Sequence, residues 1–414
     1  MPKRFQVSVA ATVMVLSALT STASDADPQE FTQVERGHYL TILSDCGSCH
    51  TVPGSNQPFA GGRPIETPFG NIVAPNITPD AETGIGGWSD EQFDAAIRKG
   101  LRRDGSRLYP AMPYNDYTKM SRDDVLAIRA YLNTVTPARN AVVANTLPFP
   151  FNIRASLRVW NALYFKEGEY QPNPNQSAEW NRGAFLVDGP GHCGACHTPK
   201  TLLGGDKTDQ YLRGAYLQGW SAPNITNDTQ LGIGAWSQED LIAYLKSGHN
   251  RVTAATGPMG EVVTLSTTFM TDSDLKAMAA YLKSLPGKTK DSAPLAANDP
   301  TMNAGAAIYR DQCSACHGLD GKGVAELFPS IADSSMVRSD DPTTSIRIVL
   351  RGARSVGTAS QPTASGMPSY GWQLDDDEVA AVLTYIRGNW GGGAALVSSD
   401  QVSKVRLDTA HRPD

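Results

Sequence analysis

The sequence predicts an all-α protein of three tandem domains joined by Pro-rich linkers. Three observations lead there. The pattern Cys-x-x-Cys-His occurs three times, as Cys46-Gly-Ser-Cys49-His50, Cys193-Gly-Ala-Cys196-His197 and Cys313-Ser-Ala-Cys316-His317. A short helical segment precedes each motif, and a second segment with apolar residues at helical spacing closes each unit. Segments rich in Pro and Asn separate the units.

The motifs use all six cysteines of the 414-residue chain. Each has the form of a c-type haem attachment site. In one helical turn, residues i, i+3 and i+4 share a face. Two thiols can then bond the two vinyl groups of one porphyrin edge, and the adjacent imidazole points at the iron. Zinc would need two further ligands per site, and no cysteine is left to supply them. A redox dithiol would not demand a His beside every motif. The expectation is therefore three covalent haems, bound through Cys46 and Cys49, Cys193 and Cys196, and Cys313 and Cys316. His50, His197 and His317 are the proximal iron ligands, and no thiol remains for a disulfide.

Composition narrows the function classes. Lys and Arg number 36 against 42 Asp and Glu, a net charge of −6, which argues against a nucleic acid partner. The first residues read as a secretory signal: Lys3 and Arg4, then an apolar run at 7–19 that is short for a membrane span, then small residues with cleavage after Ala23 or Ala26. No later segment is long and apolar enough to cross a bilayer. No flavin, quinone-cofactor or nucleotide fingerprint is visible.

Self-comparison divides the chain. Ala74-Pro-Asn-Ile-Thr78 recurs as Ala222-Pro-Asn-Ile-Thr226, and Gly84-Ile-Gly-Gly-Trp-Ser89 recurs as Gly232-Ile-Gly-Ala-Trp-Ser237. Units one and two are duplicates; unit three shares the haem motif without this block. The expected opening helices carry Gly37-His-Tyr39, Gly183-Ala-Phe185 and Gly305-Ala-Ala-Ile-Tyr309, and Gly on paired helices suits a close crossing. The closing helices cover 125–132, 275–282 and 379–386, with Tyr131, Tyr281 and Tyr385 at matching places. Ser121 and Thr271 are candidate N-caps. The boundaries read as a signal peptide at 1–26, domains at 27–140, 177–286 and 301–390, linkers at 141–176 and 287–300, and a tail at 391–414.

A haem held by His on one side needs a sixth ligand or leaves an open site. Met is the usual partner in electron-transfer cytochromes. Met112, Met259 and Met367 each have Pro or Gly alongside, which suits a rigid loop. His50 to Met112 and His197 to Met259 are both intervals of 62 residues, and His317 to Met367 is 50. Met120 and Met270 also correspond between units, but unit three has Leu374 there, so packing explains them better. His38, His192, His249 and His411 have no repeated placement and suit surface or hydrogen-bonding roles. Pro329, twelve residues after His317, is a candidate carbonyl acceptor for the imidazole, as are Pro75 and Pro223.

These motifs, with Leu147-Pro-Phe-Pro-Phe-Asn-Ile-Arg154, resemble the three-haem cytochrome c subunit of bacterial membrane-associated dehydrogenases. That group includes the quinoprotein alcohol dehydrogenases and the flavin-dependent gluconate, sorbitol and fructose dehydrogenases. The resemblance implies class I cytochrome c-like domains and Met as distal ligand at the three positions above. It implies a large dehydrogenase subunit as partner, either quinoprotein or flavoprotein, on the periplasmic face of the inner membrane, with electrons passing to ubiquinone. Related three-haem cytochromes serve molybdenum hydroxylases, so the donor stays open, as does a freestanding periplasmic shuttle. The chain itself is expected to be non-catalytic. Some relatives carry a longer C-terminal extension that helps hold the membrane; here 394–407 is a weak amphipathic stretch.

Overall fold

The computed structural model describes Met1 and residues 32–287, 300–325, 327–392 and 394–412. Apart from Met1, the signal segment expected at 1–26 lies outside the described residues, as do 288–299 of the second linker.

Each unit is organised by two crossed helices. The opening helices are Gln33–Leu43, Ala178–Asp188 and Pro300–Ile308. The closing helices are Arg122–Leu132, Asp272–Ser284 and Asp376–Trp390. A glycine sits at every crossing. A Cβ on Gly37 would stand 1.8 Å from the Ala127 carbonyl oxygen, on Gly183 1.9 Å from that of Ala277, and on Gly305 2.1 Å from that of Ala381. No side chain fits at that distance, so the residue type is dictated by the approach of two backbones. The N-caps form as the sequence suggests. Ser121 and Asp124 make a reciprocal capping box, and Thr271 accepts from the Asp274 N–H.

The duplicated block also has a physical reason. The Asn76 side-chain oxygen accepts from the Thr78 N–H (2.9 Å) and hydroxyl (2.8 Å), and Asn224 does the same for Thr226 (2.8 Å each). The Ile85 N–H then donates to Thr78 O at 2.9 Å, and Ile233 to Thr226 O at 3.0 Å. The two repeated stretches of each unit thus fold onto one another.

Besides the helices there are three two-stranded antiparallel hairpins among the described residues. They pair Pro64–Thr67 with Gly70–Val73, Ala215–Leu217 with Trp220–Ala222, and Ala353–Arg354 with Gly366–Met367. They are too short to change the all-α class. Units one and two share one apolar core, in which Leu40, Met120 and Ile128 meet Leu186, Leu275 and Met278. Unit three has its own, around Tyr309, Ile346, Val379 and Leu383.

Two segments are more structured than their composition suggests. The stretch at 141–176 carries the helix Leu157–Tyr164, which turns Leu157 and Asn161 inward. The buried Tyr114 hydroxyl donates to Asn161 Oδ1 at 2.6 Å, so the segment is bonded to unit one. The tail forms the helix Ser399–Thr409, whose Val402 and Val405 are buried against unit three. Arg406 fastens it to Asp376 and to the Gly371 and Leu374 carbonyls. Val402 and Val405 of that amphipathic stretch are therefore covered by protein, while Leu396 and Leu407 stay exposed. No helix among the described residues is long and apolar enough to cross a membrane.

Candidate haem sites

Each Cys-x-x-Cys-His motif lies on a single helical turn: Cys46–His50, Gly194–His197 with Cys193 as its cap, and Ser314–His317 with Cys313 as its cap. In units one and two, a left-handed residue just before the first cysteine breaks the opening helix from the turn: Asp45 at φ 47° and His192 at φ 38°. Unit three instead runs into its motif through a π-helical stretch, Tyr309–Cys313.

The three histidines share one hydrogen bond. Nδ1 donates to the Pro75 carbonyl (2.7 Å) in His50, to Pro223 (2.7 Å) in His197 and to Pro329 (3.1 Å) in His317. This bond fixes the tautomer and leaves Nε2 with its lone pair for a metal. Burial holds all three imidazoles below the usual His range, which keeps them neutral. The accepting strand is brought close by a glycine in each unit that sequence reasoning missed. The N–H groups of Gly61, Gly214 and Gly323 donate to the carbonyls of His50, His197 and His317 at 2.7, 2.8 and 2.9 Å. All three glycines are left-handed, with φ of 71°, 90° and 66°. A Cβ on Gly61 would lie 2.4 Å from the Pro75 carbonyl carbon, and on Gly323 2.2 Å from Phe328 O. Their unequal distances from the histidines hide them in the sequence.

Burial pushes the free thiols of Cys46 and Cys193 up to about 12, and those of Cys196 and Cys313 to about 11.

Among the distal candidates, Met112 lies on a bend and packs against the first core, which Cys193 and Met259 also touch. Met259 corrects the loop expectation. It sits in the first turn of the helix Gly257–Leu265, because Pro258 beside it suits a helix start. Met367 lies on a two-residue strand and packs with Cys313 against the second core. The Tyr370 hydroxyl donates to Gln312 O at 2.8 Å, tying the Met367 strand to the residue before Cys313. Met120 and Met270 are almost wholly buried in the core, and Leu374 is buried in its own. His38 stacks on Tyr131 (4.5 Å), and His192 and His249 bond through Nδ1 to the Pro190 and Ser247 carbonyls.

A chamber of about 1230 Å³ opens where the three units meet, between Gly47 and Phe59 of unit one, Glu261 of unit two and Met367 of unit three. Among the described residues no three His, Cys, Asp or Glu gather into a protein-only metal site. Paired thiols beside an oriented imidazole are instead the donor set of a covalently held iron porphyrin, and these residues fit that group.

The cytochrome c family matches the chain three times, over residues 34–136, 181–286 and 302–390. The chain is 40% identical to the gluconate 2-dehydrogenase cytochrome c subunit of Pantoea cypripedii, covering 95% of this chain and 94% of that protein. It is 37% identical to the fructose dehydrogenase cytochrome subunit of Gluconobacter japonicus, over 95% and 88%. It is 41% identical to one of the nicotinate dehydrogenase subunits of Pseudomonas putida, over 86% of this chain but 30% of that protein. The chain belongs to the cytochrome c family, with three cytochrome c domains and covalently bound haem c.

Proposed function

We propose that this three-domain cytochrome c takes electrons from a large dehydrogenase subunit at the periplasmic face of the bacterial inner membrane and passes them toward ubiquinone. The observation that carries the reading is the threefold His–Pro carbonyl arrangement, in a chain similar end to end to cytochrome subunits of gluconate and fructose dehydrogenases. Bound haem supplies a one-electron iron couple at each site.

The chain's own residues supply the rest. The Pro75, Pro223 and Pro329 carbonyls hold the imidazoles of His50, His197 and His317 in one orientation. Met112, Met259 and Met367 would supply soft thioether ligands to the bound haems, which favour ferrous iron. Cys46, Cys49, Cys193, Cys196, Cys313 and Cys316 hold the porphyrins covalently. With haem bound, His and Met together would leave the irons no position for substrate, so substrate chemistry would belong to the partner. Sites in one polypeptide divide a long transfer into short ones.

Mixing the purified chain with its co-purifying large subunit and that subunit's substrate tests the reading. The haem spectra should become those of the reduced form, and a quinone analogue should reoxidise them. Oxidation of alcohols, sugars or aldehydes by the chain alone, or failure of every genomically neighbouring dehydrogenase to reduce it, refutes it. The likeness to a nicotinate dehydrogenase supports a second donor class, an N-heterocycle-oxidising enzyme.

A further inference from the structure

We propose that the linker surface bearing Phe149, Phe151, Val159, Leu163, Leu202 and Leu203 docks this chain onto an anionic phospholipid bilayer. The proposal rests on the reading of the chain as a membrane-side electron carrier and names the surface that meets the lipid.

The six side chains are exposed. Phe149 is 79% exposed, Val159 62%, Leu163 60% and Leu202 96%. The Trp160 indole N–H donates to Leu203 O at 3.0 Å, and the Thr201 hydroxyl donates to the Tyr164 hydroxyl at 3.1 Å. These bonds fix the loop of Leu202 and Leu203 against the helix Leu157–Tyr164. The Phe151 ring lies 4.7 Å from the Phe69 ring on the unit-one hairpin, and a Cβ on Gly204 would stand 2.9 Å from that same ring. The linker, the loop and the hairpin tip are thus one continuous surface. Contiguous exposed apolar area on a soluble domain marks a contact site.

Charge selects the occupant. The chain carries −6 overall, yet 147–163 contains Arg154 and Arg158 and no acidic residue. Arg154 is held over the Tyr109 ring at 4.5 Å, while Arg158 is exposed beside Val159. The acids that follow are engaged: Glu167 with Lys99 and Glu169 with Arg98. Exposed apolar and aromatic side chains with a cation beside them suit insertion among anionic headgroups. The tail helix offers less apolar area, since Val402 and Val405 are buried and Leu407 is its one exposed large apolar side chain.

The test uses the full mature chain with its three haems and sedimentation with vesicles. Vesicles of phosphatidylglycerol and phosphatidylethanolamine should bind the protein, less so as salt rises, and vesicles of phosphatidylcholine alone should bind it weakly. The triple variant Phe149→Ser, Leu163→Ser, Leu202→Ser should lower partition onto the anionic vesicles at least tenfold while keeping three haems and their spectra. Arg158→Glu should weaken binding severalfold on anionic vesicles and leave it unchanged on neutral ones. Three results overturn the proposal: no binding by the parent, equal binding by the triple variant, or hydrogen-exchange protection of 149–163 by the large subunit without vesicles. Substrate-driven haem reduction, measured on the same samples without vesicles, separates the two readings. Reduction without vesicle binding removes the docking surface alone; vesicle binding without reduction removes the electron-carrier reading.

Discussion

Arg63 of the first unit and Glu261 of the second form a two-pronged ion pair, with Nη1–Oε1 at 2.5 Å and Nη2–Oε2 at 2.9 Å. The same guanidinium donates to the Ser48 carbonyl inside the first haem motif, and Glu261 lies two residues beyond Met259 on its helix. One side chain therefore connects the attachment turn of one site to the Met-bearing helix of the next. The planar fork of Arg suits this geometry better than the point charge of Lys.

Arg63→Gln should leave Glu261 without its partner and loosen the Met259 helix. The expected result is a loss of about 1–2 kcal/mol in denaturant unfolding. The Met-to-iron signature of the second haem should weaken and its potential should fall. Arg63→Lys should restore part of both. Redox titration resolved by haem would check this; an unchanged second haem would refute the link.

Distal ligation is tested by comparing methionines. Met112→Ala, Met259→Ala and Met367→Ala should each abolish one Met-to-iron signature and lower that haem's potential. Met120→Leu and Met270→Leu should leave all three signatures intact, because those side chains fill the core. Near-infrared magnetic circular dichroism would read the outcome.

The helix crossings tolerate no bulk. Gly183→Val would place its Cβ 1.9 Å from the Ala277 carbonyl oxygen, so the helices must separate. The expected cost is about 3 kcal/mol or more in unfolding free energy. Gly54→Val meets open space at its Cβ and, although left-handed, should cost less. Equal melting of the two variants would contradict the crossing.

Asp116 gives a pH test. Burial raises its carboxyl to about 7, with Lys119 and Lys200 opposing and Asp206 and Asp188 reinforcing. One oxygen, Oδ2, is buried without a hydrogen-bond partner among the described residues. A raised folded value means that the group's favourable contribution is full below about pH 4 and is lost as pH rises through 7. Asp116→Asn should therefore stabilise the protein at pH 8, by on the order of 2–4 kcal/mol, and change little at pH 4. Thermal melts at both values would show the difference, and an equal effect at both would rule it out.

The chemistry of the sites was legible in the sequence because it is local. Cys46, Cys49 and His50 share a face within one helical turn, so their spacing alone fixed a haem, and the same holds for the other two motifs. Duplication added more: the repeated Asn-Ile-Thr and Gly-Ile-Gly blocks marked units one and two as copies, and the equal intervals to Met112 and Met259 singled out those residues as candidates. The helix that carries Met259 was not legible, since Gly and Pro flank loops and helix starts alike.

What only the tertiary structure decided lies far apart in the chain. Pro75 and Pro223 follow their histidines by 25 and 26 residues, and no local periodicity selects a carbonyl at that range. Gly61, Gly214 and Gly323 are required by the approach of those strands, at spacings that differ in each unit. Arg63 and Glu261 are 198 residues apart and meet because two units pack side by side. The tail helix could have faced lipid or protein on its pattern alone; packing against unit three buried Val402 and Val405 and left the linker surface exposed. Backbone geometry sets contacts within a turn, whereas contacts between turns are set by which surfaces exclude water together, and that is a property of the folded chain.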